Sequence, residues 1–411
     1  MGKETHILVS GGGIAGNAVA LQLVRAGIRT TVVERAGAPR PGGQAVDLRG
    51  ASREVAERMG LMPGIRDRQL DERGMVYVDR RGRAYARMPA DLFGGNGPVA
   101  DVEITRGDLN EVLLEALGAT GGAADYRYGE WIEALTRHDD GVEVRFASGR
   151  VETYDLVVGA DGVHSATRRL AFGPEERFST YLGGYTSYFT VPRPDGLEPG
   201  WMTMRPASRA VVGLRPDRDP ATAKALVILR VPADPALRGD VVAQQQLLRE
   251  LLADAGWLAP YILEAMPQAP DFYFDELARV DMPNLSAGRI VLSGDAGYCG
   301  SPLSGMGTAM ALIGAYVLAG ELAAAPSDPE TALTRYETAL TPLLEQAKQL
   351  PGGGLPMMLP ATGIGRLLSR TAARIVCARP LRPLTTRMAS GEGDCAVPSY
   401  PGDATVSSPA P

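Results

Sequence analysis

Six residues constrain this chain more than any others: Gly11-Gly12-Gly13-Ile14-Ala15-Gly16. They leave an apolar stretch, His6-Ile-Leu-Val-Ser10, and enter a helical pattern from Asn17 to Ala26; a second apolar stretch, Thr30-Thr-Val-Val-Glu34, follows. Strand, glycine turn, helix, strand is a βαβ unit, and an uninterrupted apolar first strand belongs to a parallel sheet covered on both faces. In the pattern G-x-G-x-x-G, Gly11 makes the tight turn, Gly13 lets backbone approach a pyrophosphate, and Gly16 lets the helix close on the strand. The phosphates then meet unpaired N–H groups at the positive end of a helix dipole. Glu34, at the end of the next strand, is placed to accept hydrogen bonds from the adenosine ribose hydroxyls, and its charge opposes a 2′-phosphate, so NADP is not expected in this site. The fingerprint alone does not choose between FAD and NAD.

The rest of the chain reads as α/β with an insertion. Helices are expected from Ser52 to Met59 and from Gly107 to Leu117, where Leu109, Val112, Leu113, Leu114 and Leu117 form one stripe. Val142 to Gly159 alternates like strands around a turn at Gly149. From about Phe178 to Val231, short strands separated by Pro and Gly predict a mostly antiparallel sheet; α/β character returns at Arg289-Ile-Val-Leu-Ser293. The expected architecture is a discontinuous Rossmann-like domain of residues 1–73, 97–176 and 279–325. An inserted, mostly antiparallel substrate domain takes 74–96 and 177–278, C-terminal helices take 326–390, and a Gly, Pro and Ser-rich tail, 391–411, is expected to be disordered.

Composition excludes several classes. With 411 residues, 45% apolar and 22% charged, the chain is not disordered along its length. A net charge of −6 gives no electrostatic reason to expect nucleic acid or an anionic membrane. Cys299, Cys377 and Cys395, like His6, His138 and His164, are too scattered for a zinc site or a histidine-rich metal centre, so no metal is expected. His164 reads as structural because the sequence shows no carboxylate partner for it. The charge-free run Ala296–Gly320 is long enough to cross a bilayer, but Gly297, Gly300, Pro302, Gly305 and Gly307 break its first half, so it reads as a buried helix. The N-terminus lacks a leader pattern, which points to the cytoplasm. A monomer or weak homodimer is expected.

Two further segments decide the cofactor. Asp155-Leu-Val-Val-Gly-Ala-Asp161-Gly162-Val-His-Ser165-Ala-Thr-Arg168 is a strand, an Asp-Gly turn and a helix start. Arg289-Ile-Val-Leu-Ser-Gly294-Asp295 continues through Pro302, Gly305 and Gly307 into a long helix. At these residues the sequence resembles the class A, single-component flavoprotein monooxygenases of the p-hydroxybenzoate hydroxylase type, across roughly residues 1 to 320. Glu34-Arg35, Gly42-Gly43-Gln-Ala-Val-Asp47-Leu and Arg106 in Thr-Arg-Gly-Asp-Leu are most similar to tetracycline-inactivating flavin monooxygenases and actinobacterial polyketide hydroxylases of secondary metabolism.

The resemblance implies non-covalent FAD, reduced transiently by NADH or NADPH, with oxygen passing through a flavin C4a-hydroperoxide to an aromatic, phenolic or polyketide-like molecule. It makes Arg106 a contact to the FAD phosphate or ribityl chain and Asp295 a partner of the ribityl hydroxyls. Asp161 would lie where FAD and the nicotinamide meet. Gly305, Met306 and Gly307 would offer backbone N–H groups to the N1/C2=O edge of the flavin, where a helix N-terminus stabilises negative charge. Ile14, Ala15, Arg35, Gly43, Asp47 and Pro302 complete the expected cofactor contacts. Tyr188, Met202, Met204, Leu214 and Pro302 are the expected substrate wall, Met357 and Met358 a flexible lid, and Arg215 and Tyr185 the groups expected to polarise a substrate hydroxyl. Gly297-Tyr298 and Ala309 depart from the family pattern, which often has His and Asn there. Alternative readings are a flavin-dependent dehydrogenase or reductase of the same fold and a non-catalytic flavin-binding protein.

Overall fold

The structure, a computed structural model, describes residues 5–40, 42–90, 102–121, 124–300, 305–347, 354–360, 362–377, 396–401 and 403. Its centre is the strand His6–Ser10, whose Ile7, Leu8 and Val9 are buried from both sides. Leu156–Gly159 pairs with it on one side and Arg29–Glu34 on the other, both parallel. Ile290–Leu292 and Ala124–Tyr128 extend the sheet in parallel, and Ser286–Ala287 closes one edge antiparallel. The chain leaves the central strand toward one neighbour and later returns on the other side, so the glycine turn opens at a topological switch point, where α/β sheets bind ligands.

Helices Ile14–Arg25, Arg106–Gly118 and Gly307–Ala324 cover one face of this sheet. A three-stranded antiparallel sheet, Ile132–His138, Gly141–Phe146 and Val151–Tyr154, covers the other through Val142, Val144, Phe146 and Tyr154. Gly307–Ala324 is apolar all round because it is a core helix: it is long enough to span a membrane, yet most of it is buried against Ile14–Arg25 and Pro329–Ala347.

A seven-stranded sheet forms the second layer, in the order Tyr273–Val280, Ser179–Pro192, Thr222–Arg230, Ala210–Pro216, Trp201–Pro206, Gly74–Val78, Ala84–Pro89. All its pairs are antiparallel except Trp201–Pro206 with Gly74–Val78. Register decides which side chains face the first layer. Tyr188 pairs with Leu226, Leu226 with Gly213, Gly213 with Met204 and Met204 with Tyr77, so these residues share one face; Met204 Sδ fills the space above the bare Gly213. The opposite face carries Tyr185, Phe189, Val212, Leu214 and Leu229 and is covered by helices Val241–Leu252 and Ala259–Ala265.

Two expectations are corrected by this alternation. Tyr185 and Leu214 belong to the outer, helix-covered face, away from the wall that holds Tyr188, Met202 and Met204. Tyr185 stacks on Phe274, and its hydroxyl accepts from Asp234 N at 2.8 Å, so it is not available to a substrate. The tail expected to be disordered also departs from expectation among its described residues. Val397 is buried, Tyr400 packs on Tyr316 at 5.2 Å between ring centroids, and Tyr316 Oη donates to Asp403 at 2.8 Å.

Candidate active site

The three glycines of the fingerprint do three different things. Gly11 has φ +109°, and a Cβ there would lie 2.4 Å from the carbonyl oxygen of Ala160, the residue just past the neighbouring strand. A Cβ on Gly16 would lie 1.8 Å from Gly11 O, so only glycine lets the helix close on the turn. At Gly13 a Cβ meets nothing within 4 Å. The open position is therefore the middle one, at the N-terminus of Ile14–Arg25, where no side chain caps the helix. That is a cradle of the kind a pyrophosphate fills, with free N–H groups and the helix dipole aimed into it.

Charged groups border the cradle. Glu34 accepts from Gly12 N and Ala36 N, each at 2.7 Å, which ties the turn to the end of the second strand. Asn17 and Asn110 both donate to Gly12 O, at 2.9 and 3.3 Å. Arg35 is exposed beside Glu34. Arg106 opens the Arg106–Gly118 helix; its N–H donates to Gln44 O at 2.9 Å, and Gly107 N donates to Gly42 O at 2.7 Å. Gly43, at φ +90°, passes against the Arg106 Cβ. The Arg106 guanidinium is exposed and has no ion-pair partner among the described residues.

The second and third segments meet behind the turn. Asp161 accepts from Thr167 N at 2.9 Å, from Thr167 Oγ1 at 3.0 Å and from Ser165 Oγ. It thus fastens its own Asp-Gly turn to the helix Ala166–Phe172. Arg168 is wholly buried and donates to Ala296 O at 2.8 Å and Val163 O at 2.6 Å, which joins that turn to the Gly-Asp corner. In sequence Arg168 merely closes the Asp-Gly segment; its buried position makes it the strut between two of the three segments. Asp295 sits half-exposed in the corner, its Oδ1 3.7 Å from where a Gly307 Cβ would stand. One carboxylate therefore faces the start of the long helix, with Gly305 at φ +69° and Met306 leading in. Pro302 lies outside the described residues.

The departures Tyr298 and Ala309 have packing roles. Tyr298 lies across the long helix where Gly314 has no side chain, 5% exposed, with Ser293 Oγ and Tyr336 Oη each 3.3 Å from its hydroxyl. Ala309 is buried inside the long helix.

The inner face of the seven-stranded sheet supplies an apolar and aromatic wall. Tyr188 and Tyr273 stack with centroids 6.2 Å apart, and burial pushes both phenols up from their ordinary pKa; the positive field of Arg106 reaches both. Met202 and Met204 are buried with Met75, Val211, Ile228 and Leu355. Met358 is exposed, and the Met357 side chain lies outside the described residues.

Arg215 shares this face but is not free to meet a substrate, which corrects its expected role. Its Nε donates to Glu72 at 2.6 Å, its Nη2 to Glu103, and its Nη1 to Ala45 O at 3.3 Å. Burial would pull its pKa down, but Glu72, Glu103 and Asp47 outweigh burial and hold it charged. Asp47, beside Arg49, is pushed up to about 6, first by burial and then by Glu103.

His164 has the carboxylate partners that its sequence neighbourhood hides. Nδ1 lies 2.6 Å from Glu175 Oε1 and Nε2 2.9 Å from Asp275 Oδ1, and Tyr273 Oη donates to Asp275 Oδ2 at 2.9 Å. Arg238 donates to both Glu175 oxygens, so the space a cation would share among His164, Glu175 and Glu276 already has a guanidinium on it. Hydrogen bonds donated to Asp275 and Glu175 raise the imidazole to about 9, while Glu175, despite burial, is lowered to about 2 by His164 and Arg238. The latch joins the Asp-Gly turn of the first layer to the edge strand Tyr273–Val280 of the second. His164→Ala should cost about 2–3 kcal/mol at pH 7. The imidazolium contribution is complete below pH 6.5 and lost as pH rises through about 9; that of Glu175 is complete above pH 4.5 and lost as pH falls through about 2. Urea melts at pH 7 and 10 check the sign: the gap between wild type and variant should close at pH 10.

Comparison with known proteins gives this geometry a context. The FAD binding domain family matches residues 4–350. An uncharacterised protein of Mycobacterium tuberculosis (strain ATCC 25618 / H37Rv) is 40% identical over 355 residues, 85% of this chain and 93% of its own. A flavin-dependent monooxygenase from an unknown prokaryotic organism is 39% identical over 345 residues, 84% of this chain and 88% of its own. Among solved structures, the tetracycline destructase Tet(51) superposes with a TM-score of 0.78 at 33% identity, covering 97% of this chain and 100% of that one.

Proposed function

The chain belongs to the FAD binding domain family and is an FAD-dependent monooxygenase of the class A type; from that premise we propose that it draws electrons from NADH or NADPH and inserts one atom of O₂ into an aromatic, phenolic or polyketide-like small molecule. The observation that carries the reading is the convergence of the open Gly13 cradle, the exposed Arg106, which has no ion-pair partner among the described residues, and the Asp295–Gly307 corner, three features that suit three parts of one FAD. The residues present fit the cofactor, because the one fingerprint position without a neighbour is the position a pyrophosphate needs.

Bound FAD, once reduced, supplies the electrons that activate oxygen. The chain supplies position and field. Gly13, with Ile14 and Ala15, receives the pyrophosphate, Glu34 and Arg35 border the adenosine, and Arg106 neutralises phosphate charge. Asp295 would hold the ribityl hydroxyls, and the N–H groups of Gly305, Met306 and Gly307 would stabilise negative charge on the reduced ring. Tyr188, Met202 and Met204 shape an apolar wall that suits a flat substrate and keeps water from the reacting atoms. The name of Tet(51) marks a neighbour that acts on tetracycline, which favours a phenol- or enol-bearing substrate here.

Turnover under ¹⁸O₂ with a panel of phenolic polyketides tests the proposal. One labelled oxygen per product, with NAD(P)H oxidation accelerated by the substrate, is the expected result. Product that carries no label and forms equally well without oxygen would sink it.

A further inference from the structure

The helix Gly363–Val376 turns its apolar side outward. Ile364, Leu367, Leu368 and Ile375 are 74%, 65%, 64% and 53% exposed, and no residue of the helix is buried. At 100° per residue these four side chains form one stripe about 100° wide, and Arg370 and Arg374 run along its margin. The helix is fastened to the body by other means. Arg366 Nη1 donates to Ser208 Oγ at 3.3 Å, and the Arg370 and Arg374 guanidinia lie 4.5 and 5.9 Å from the centre of the Tyr85 ring on the edge strand Ala84–Pro89. Cation–π contacts of this kind hold the arginines beside the stripe and leave their charge uncancelled. Arg205 reaches the same corner, and the Nε atoms of Arg205 and Arg370 are both buried without a hydrogen-bond partner among the described residues.

The sequence around the helix has a charge of its own. Between Gly363 and Ser390 there are six arginines and no Asp or Glu, in a chain whose net charge is −6. Net charge therefore conceals a local reversal, and it is the local field that a surface feels within a Debye length.

We propose that Gly363–Val376 is a docking face for an anionic lipid surface, with Ile364, Leu367, Leu368 and Ile375 entering the acyl boundary and Arg370 and Arg374 meeting the phosphate headgroups. An outward apolar stripe with a basic margin is the pattern of helices that lie in the plane of a membrane. The other occupants fit less well. A second copy would set Arg370 and Arg374 against their own counterparts. The end of this chain, residues 404–411, offers Val406 as its one large apolar side chain, too little to cover four. The enzyme would then be peripheral, touching lipid through this helix, with its core helix Gly307–Ala324 remaining inside the protein.

The FAD-loaded full chain should co-sediment with vesicles of phosphatidylcholine containing phosphatidylglycerol at least about tenfold better than with phosphatidylcholine alone, and raising salt should weaken that binding. Leu367→Glu with Leu368→Glu should abolish sedimentation while flavin absorbance and circular dichroism stay unchanged. Arg370→Gln with Arg374→Gln should lower the affinity about tenfold. Equal binding to both vesicles, no binding to either, or binding indifferent to the leucine changes would overturn the proposal. So would a concentration-dependent dimer, abolished by Leu367→Glu, in protein that ignores vesicles, because a second copy would then be the occupant.

Discussion

A Gly13→Val chain should fold as the wild type does and bind FAD at least about a hundredfold more weakly, a loss of roughly 3 kcal/mol. The two halves of that result have separate causes. Gly13 sits at φ −83° and ψ −173°, an extended conformation that a β-branched residue adopts freely, and its Cβ would touch nothing within 4 Å. Folding therefore has no reason to suffer. The added atoms instead occupy the space that backbone N–H groups keep open for a pyrophosphate. Gly16→Ala gives the contrast, because its Cβ would collide with Gly11 O and force the helix off the strand, so here stability should fall as well. Melting of the apoproteins and flavin fluorescence titration separate the two. Wild-type FAD affinity in Gly13→Val would move the pyrophosphate to another part of the molecule.

Why the fingerprint was readable and the substrate wall was not follows from how far apart the determinants lie. Gly11, Gly13 and Gly16 act on one another across a single turn, and Glu34 closes onto Gly12 within the same βαβ unit. In the seven-stranded sheet the side that a residue faces depends on register with strands far away in sequence and on which face the helices cover. Pairing of Ser179–Pro192 with Thr222–Arg230 is regular from Gly184 to Pro192, so alternation alone puts Tyr185 and Tyr188 on opposite faces; which of the two faces inward is set by the helices that cover the other side. His164 illustrates the same limit: Glu175 lies 11 residues away and Asp275 lies 111 away. The tail deceives through composition, since its glycines, prolines and serines conceal the residues that anchor it. Val397 is buried, and Arg58 donates to Pro398 O at 2.8 Å.

Arg215→Ala should destabilise the enzyme by about 3–5 kcal/mol, through what it leaves behind. Glu72 has a fully buried side chain whose Oε1 has no hydrogen-bond partner among the described residues even in the wild type, and Glu103 is 1% exposed. Without the guanidinium, both carboxylates stay buried near Asp47, which is already pushed up to about 6. Carboxyl groups whose folded pKa lies above the unfolded value destabilise at high pH, and the penalty disappears as falling pH protonates them in both states. The gap between variant and wild type should therefore be widest near pH 8 and narrow toward pH 5. Adding Glu72→Gln and Glu103→Gln to Arg215→Met should recover much of the loss, since an apolar or neutral set of similar volume avoids the buried charge. Arg215 also holds Ala45 O, and the strand Ala45–Asp47 packs on the long helix whose N-terminus faces the expected flavin edge. FAD affinity should accordingly fall together with stability in Arg215→Ala; in the triple variant, whose new methionine offers Ala45 O no donor, stability should recover further than FAD affinity. A variant with wild-type melting and FAD affinity but depressed kcat would instead restore Arg215 to the substrate, because only a group that touches the reacting molecule can fail in that way alone.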